Sequence, residues 1–242
     1  MEHEGSWAKK PHSRLESASV MADSRDRVLR TVREDICWSR LVPGQRLDVN
    51  LVVGRTGVSR SVVRQALRDL CDQGWLTIVD EGCVVGVPSP EEAAEIDEVR
   101  RALEEVTVRR FVAHASDAQL RALHGALMEF EDLAELPPDP SALLQARDNF
   151  YGLLLRAAGV MVTLDALAKL RARIIVLMCA SLCSPGRARA AGAELRAVYE
   201  ALADRDAERA VLACATHVDR SYEAGFRALA ALGGSEPGTA LH

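Results

Sequence analysis

Lysine is almost missing from this chain: it occurs only at Lys9, Lys10 and Lys169, so nearly all of the 30 basic residues are arginine, a bias that points to a GC-rich genome. An excess of positive charge is missing too. The net charge is −5 and the isoelectric point lies near 5.7, which excludes a chain that is basic as a whole and leaves nucleic-acid contact to a local patch. No apolar run is long enough to cross a bilayer and no signal peptide heads the chain, so the expected location is cytoplasmic, with no membrane partner. Six cysteines are present, Cys37, Cys71, Cys83, Cys179, Cys183 and Cys214, but none forms a C-x-x-C pair. Such scattered cysteines read as small buried hydrophobes. A soft-metal or redox site built from Cys179, Cys183, Cys214 and His217 is the rival reading. No nucleophile motif, glycine-rich phosphate loop or carboxylate pair stands at catalytic spacing. An enzyme is therefore a remote reading, one that would have to use Asp148, Tyr151, Cys183 and His217.

What is present is a globular composition, 48% apolar and 27% charged, in 242 residues, enough for two domains. Residues 1–23 read as a disordered leader, with Met21 as a second plausible start. A first helix is expected from Ser24 to Trp38, with Val28, Val32 and Ile36 on one edge, then a short helix from Val49 to Thr56 capped by Asp48. The stretch Gly57-Val-Ser-Arg-Ser-Val-Val-Arg-Gln-Ala-Leu-Arg-Asp-Leu70 then reads as the turn and second helix of a helix-turn-helix. Val63, Ala66, Leu67 and Leu70 share one side, and Arg60, Arg64 and Arg68 stack four apart on another. Gly57 suits the tight turn, and Ser59 or Ser61 suits the N-cap. Two β-rich runs, Leu76–Val79 and Cys83–Val87, flank Asp80-Glu81-Gly82 as a two-stranded wing.

Upstream lies Leu41-Val-Pro-Gly-Gln-Arg-Leu47 and downstream Gly74-Trp-Leu-Thr-Ile78. The three segments together resemble the winged helix-turn-helix of GntR-family transcription regulators, over roughly residues 25–87. The resemblance implies that Ser59, Arg60, Ser61 and Arg64 enter a major groove, with Arg60 and Arg64 on base edges, while Asn50 and Arg68 reach phosphates or groove edges. Two departures stand out. Asn50 replaces an arginine that FadR-type relatives often use on DNA, and Asp80 and Glu81 occupy a wing tip that is often basic or small, so the tip is expected to stand away from the duplex.

Pro88-Ser89-Pro90 reads as a linker. Six helices are then expected at about 91–115, 117–136, 140–158, 162–182, 187–203 and 207–232, an all-α bundle, with 233–242 as a flexible tail. The fold class is thus an N-terminal winged helix-turn-helix (α+β) followed by an all-α six-helix bundle. Val99-Arg-Arg-Ala-Leu-Glu104, Phe150-Tyr-Gly-Leu-Leu-Leu-Arg-Ala-Ala-Gly159 and Glu194-Leu-Arg-Ala-Val-Tyr-Glu-Ala-Leu-Ala-Asp-Arg-Asp206 resemble the FCD domain of FadR-type GntR regulators.

In that family an Asp and three His commonly hold a divalent metal that helps anchor a small carboxylate. Here those positions fall on Arg147, Tyr151, Leu195 and His217, a set that does not hold such an ion, so no metal and no cofactor are expected. Arg147 stands where the Asp–metal pair would be and Arg100 where the family often clamps a carboxylate, with Tyr151 and His217 as further hydrogen-bonding groups. Two readings stay open: a metal-free pocket for a small acidic or polar metabolite, or a pocket filled by Leu195, Tyr151 and their neighbours, leaving a dimerisation scaffold that binds no ligand. Residue by residue the plain alternatives are an Arg100–Glu104 surface bridge, a solvated Arg147, a Tyr151 bonded to backbone and a satisfied core His217. The expected function is a homodimeric transcription regulator, a repressor, on a palindromic duplex operator.

Overall fold

The computed structural model describes residues 12–38, 40–80, 82–137 and 139–233. Helix α1 (His12–Cys37) buries Val28, Leu29, Val32 and Ile36, α2 (Val49–Thr56) buries Val52 and Thr56, and α3 (Arg60–Asp72) buries Val63, Ala66, Leu67 and Leu70. These apolar stripes close a three-helix core. The Asp48 carboxylate caps α2 by accepting from the Asn50 amide at 2.8 Å, and Gly57, at φ 67°, takes the left-handed turn that sends the chain into α3. Strands β1 (Leu76–Val79) and β2 (Gly82–Val85) pair antiparallel, Leu76 opposite Val85 and Val79 opposite Gly82. The Leu41–Leu47 loop lies along the free edge of β2: Leu47 donates to Cys83 and Val85 donates to Gln45, at 2.9 and 3.0 Å. That pairing anchors the wing to the helices.

Three boundaries differ from expectation. Helix α1 starts at His12, not Ser24, because residues 12–37 contain neither glycine nor proline to stop it; the rest of the expected leader lies outside the described residues. Pro90 opens a helix instead of closing the linker, since proline fits the first helical position, where its missing N–H is not needed, and Ser89 caps that helix by accepting from Glu92 at 3.1 Å. The wing-tip Glu81 and residues 234–242 of the expected tail also lie outside the described residues, while Gly233 is still helical.

Among the described residues the regular structure of the C-terminal half is all helical: α4 (Pro90–His114), α5 (Asp117–Glu135), α6 (Pro140–Ala157), α7 (Met161–Arg173), α8 (Ile175–Cys183), α9 (Arg187–Ala203) and α10 (Ala207–Gly233). These are seven helices where six were expected, because the single helix read over 162–182 breaks at Ile174 (φ −113°). Burial explains the break. Residues Val176 to Leu182 are all buried, so α8 enters the middle of the bundle, whereas α7 buries only Leu167 and stays on the surface. One straight helix cannot follow both courses, and the β-branched run Ile174-Ile175-Val176 weakens it there. No helix among the described residues is long and apolar enough to cross a membrane.

The two halves are packed against each other. Cys37, at the end of α1, has its sulfur 2.9 Å from that of Cys179 on α8, and Cys183 donates to the Cys37 carbonyl at 2.8 Å. Cys179 and Cys183 thus face Cys37, not Cys214 and His217, and the soft-metal set read from spacing is not assembled; among the described residues no group of three His, Cys, Asp or Glu is placed to hold a metal. Gly74, in the turn after α3, sits at φ 77° directly against α7, where an added Cβ would overlap the Ala172 carbonyl. Gly74→Ala therefore meets both a strained backbone and a backbone collision. It is expected to lower stability by about 2 kcal/mol or more, read as an earlier unfolding midpoint in urea; an unchanged midpoint would mean that this contact carries no load.

Candidate functional site

The DNA-facing candidates and the arginines that support them are used differently. Arg25 pairs with Asp69 on the inner side of α3 at 2.5 Å, which holds the Asp69 carboxyl below its ordinary range. Arg33 donates to Gln73 at 2.5 Å, and Arg40 pairs with the buried Asp35 at 2.7 Å, joined there by Arg55. These bonds lash α1, α2 and α3 together and fix how α3 is presented. Its outer edge is left bare. Ser59, Arg60, Ser61, Arg64, Arg68 and Asn50 are all exposed, and among the described residues the side chains of Arg60 and Arg64 bond to nothing. Arg68 donates to Gln65 at 2.7 Å and so lies along its own helix.

Ser59 is the N-cap residue by backbone angle, but its hydroxyl meets that of Ser61 at 3.1 Å and caps no amide, contrary to expectation. The first amides of α3 therefore keep their donors for an outside acceptor such as a phosphate. Arg46, quoted in the loop motif but not singled out there, lines a cleft between α3 and the wing together with Arg64 and Arg68. The exposed Asp80 stands at the wing's far end.

The second candidate cluster is buried in the helical half. Arg100 and Glu104 come from α4, Arg147 and Tyr151 from α6, Arg171 from α7, Arg187 and Glu194 from α9 and His217 from α10. Arg147 is 4% exposed and His217 1%, so neither the solvated-Arg147 reading nor a surface Arg100–Glu104 bridge describes this protein. Arg100 does pair with Glu104, at 3.0 Å, but inside the bundle. The Arg147 guanidinium lies over the Tyr151 ring at 4.7 Å and that of Arg171 at 5.5 Å, both cation–π contacts, and the Tyr151 and His217 rings stack at 6.2 Å. His217 Nδ1 and Arg187 Nη2 both bond Glu194 Oε2 at 2.8 Å, and Arg187 also donates to Ser221 at 2.9 Å. Among the described residues the one carboxylate reaching Arg147 is the half-exposed Asp148 at 3.8 Å, which Arg171 already holds.

Burial pushes the His217 imidazole down to about 4 despite its bond to Glu194, with the Arg147 and Arg187 charges adding to the fall, so it is neutral near pH 7. Burial also raises the Tyr151 phenol and disfavours the charged form of Arg147. Burial works against the charged form of Glu194 as well, but its His217 and Arg187 partners win and hold it below the usual carboxylate range. Four guanidiniums thus face two interior carboxylates. Arg100 Nε, Arg147 Nη1, Arg187 Nε and Nη1, Tyr151 Oη, Glu104 Oε2 and His217 Nε2 are all buried without a protein hydrogen-bond partner. The readings of Tyr151 as bonded to backbone and of His217 as fully satisfied do not hold.

Arg171, Arg187 and Glu194 were not singled out from sequence, and Glu104 only as a surface partner of Arg100. Their signal is weak because their partners are set by packing between helices. Leu195, the position corresponding to a histidine ligand, is fully buried in the apolar core, while its neighbour Glu194 carries the polar contacts. A divalent ion does not fit this donor set: it has one imidazole, engaged by Glu194 at Nδ1, and several cations that would repel the ion.

Comparisons with known proteins agree with both halves. The family described as "Bacterial regulatory proteins, gntR family" matches residues 24–85, and the FCD domain family matches residues 95–220. YdhC of Bacillus subtilis (strain 168), described as an uncharacterized HTH-type transcriptional regulator, is 27% identical over 113 residues, 46% of this chain and 50% of that protein. The match thus spans about half the length of that curated relative. Among solved structures, E. coli McbR/YncC superposes with a TM-score of 0.67 at 18% identity, covering 84% of this chain and 97% of that one. A GntR transcriptional regulator from Rhodococcus sp. RHA1 gives 0.64 at 21% identity, covering 88% and 99%. At such identities the likeness concerns the fold. With the two family matches in chain order over the two structural halves, this chain belongs to the GntR family of DNA-binding transcription regulators, in the FadR-type branch that joins a winged helix-turn-helix to an FCD domain.

Proposed function

We propose that the chain acts as a cytoplasmic homodimeric repressor on a palindromic operator and that its FCD domain binds a small acidic or polar metabolite without metal. One helix in one groove gives modest affinity, and two half-sites supply the rest, which is the argument for a dimer. Arg60 and Arg64 read base edges, guanine being the natural bidentate partner, while Ser59, Ser61, Asn50 and Arg68 serve phosphates and groove edges.

The observation that carries the metabolite reading is the convergence of Arg100, Arg147 and Arg187 with donor atoms buried and unpartnered. Leaving such donors without acceptors costs about 1–3 kcal/mol each, so an anion that supplies oxygens at this point gains binding energy. Differential scanning fluorimetry against a panel of organic acids, each with and without EDTA, tests it. Acids are expected to raise the melting temperature by the same amount in both arms. A panel without effect would support the ligand-blind scaffold, and a shift lost in EDTA would contradict a metal-free site.

A further inference from the structure

We propose that Cys71 and Cys83 form a peroxide-reactive dithiol, which a hydroperoxide closes into a disulfide that ties α3 to the wing and weakens duplex binding. Cys71 lies in the last turn of α3 and Cys83 in β2, and the Cys71 thiol donates to the Cys83 sulfur at 3.4 Å. Cys37 and Cys179 are 1% exposed, whereas Cys71 and Cys83 are both only partly buried, so the reading of all six cysteines as buried hydrophobes does not cover this pair. Cys71 lines a cleft of about 550 Å³ between the wing and Arg173 of α7, and Cys83 lines another, of about 670 Å³, between α3 and the wing. A small oxidant can thus reach the pair from either side. In the second cleft Cys83 stands with Arg46, Arg64 and Arg68, the electropositive and partly exposed setting in which reactive cysteines are found.

The two sulfurs play different parts. Burial and the bond to Cys83 push the Cys71 thiol up to about 12, so Cys71 keeps its proton and Cys83 is the sulfur that accepts. The Cys83 thiolate attacks one oxygen of the hydroperoxide. An S–O bond forms, the O–O bond breaks, and the departing alkoxide takes up the proton that Cys83 gave to solvent, leaving Cys83 as a sulfenic acid. The Cys71 sulfur then attacks that sulfur: the S–S bond forms, the S–O bond breaks, and the hydroxide leaves with the Cys71 proton as water. In sum, two thiols and one hydroperoxide give one disulfide, one alcohol and one water, the sulfurs supplying both electrons; with hydrogen peroxide the alcohol is a second water. Closing the bond brings the sulfurs from 3.4 Å to about 2.05 Å. Strand β2 does not move alone, because the Cys83 carbonyl accepts from Leu47 at 2.9 Å, so the loop that carries Arg46 is drawn with it. The cleft that Arg64 and Arg68 line is thereby reshaped, which is why the closed form is expected to bind a duplex more weakly.

To test this, the reduced full chain is treated with hydrogen peroxide, alkylated and mapped by peptide mass spectrometry without reduction. A linked Cys71–Cys83 peptide is expected before any Cys37–Cys179 peptide, since fully buried thiols are inert. In fluorescence anisotropy the oxidised protein is expected to bind a duplex selected by the reduced protein at least about fivefold more weakly, and dithiothreitol should restore the affinity. Reduced Cys71→Ser is expected to bind that duplex as the wild type does. Under peroxide this variant should stop at the sulfenic acid, read as a dimedone adduct on Cys83 with no linked peptide. The absence of a Cys71–Cys83 peptide in the wild type, or closure of Cys37–Cys179 first, would overturn the proposal. So would a closed Cys71–Cys83 disulfide that leaves duplex affinity unchanged, or a Cys71→Ser protein whose Cys83 takes no dimedone.

Discussion

Arg64→Ala is expected to abolish operator preference while leaving the fold intact. The side chain is exposed, bonds to no described residue and lines the cleft between α3 and the wing, so removing it disturbs no packing, and its folding effect should stay within about 0.5 kcal/mol. A bidentate arginine–guanine contact is worth about 1–3 kcal/mol of discrimination, and a symmetric dimer would lose it in both half-sites. The combined loss is about 2–6 kcal/mol, roughly 30-fold to 10⁴-fold in affinity for the selected sequence. The measurement is fluorescence anisotropy with a duplex selected from a random library by the wild-type protein and with its scrambled counterpart. Specific binding should collapse to the level of the scrambled duplex. Retained discrimination would refute the assigned role. Arg68→Ala offers the contrast, because a phosphate contact should weaken both duplexes alike and reduce the salt dependence.

The second large effect lies in the buried cluster, where one substitution should lower stability and a neighbouring one should not. Glu194 is the shared acceptor of Arg187 and His217, with Arg220 at 3.5 Å from its other oxygen. Glu194→Ala strands a buried guanidinium and an imidazole N–H at once. Breaking a buried pair from one side typically costs about 3–5 kcal/mol, a large part of the stability of an ordinary domain, and a melting temperature lower by about 10 °C is expected. Arg147→Met works the other way. Arg147 stacks on Tyr151, but its nearest carboxylate is a half-exposed one at 3.8 Å, so replacing it by an apolar chain of similar length removes an uncompensated buried charge. The unliganded protein is expected to be unchanged or more stable by about 1 kcal/mol, while its thermal response to organic acids disappears. A destabilised Arg147→Met protein that still responds to acids would place the anion elsewhere.

The DNA-binding half was legible in the sequence because its signals are local. The periodicity of Val63, Ala66, Leu67 and Leu70 sets the buried side of α3, and Arg60 and Arg64 then follow to the outside by helical geometry alone. The same arithmetic failed over 162–182, where no glycine or proline marks the break at Ile174; the break comes from the different depths to which α7 and α8 are buried, which no window of sequence contains. It failed again at the start of α1, where a polar stretch was read as unstructured although nothing in it opposes a helix. In the buried cluster, position-by-position resemblance led to Arg100, Arg147, Tyr151 and His217, which the fold does bring together. It missed Glu194 and Arg187 because their role depends on α9 lying beside α10, a matter of packing between segments more than twenty residues apart.

The contact between Gly74 and Ala172 joins main chain to main chain, with no rotamer between them to absorb a displacement. Arg171, which rests on Tyr151 in the cluster, is the residue just before Ala172. A shift of a few tenths of an ångström where that guanidinium sits would be handed undamped to the turn at the foot of α3, because close-packed backbone transmits strain where a flexible side chain would dissipate it. The buried cluster and the turn after α3 are thus joined through main chain, and Gly74 is the residue whose missing Cβ makes that contact possible.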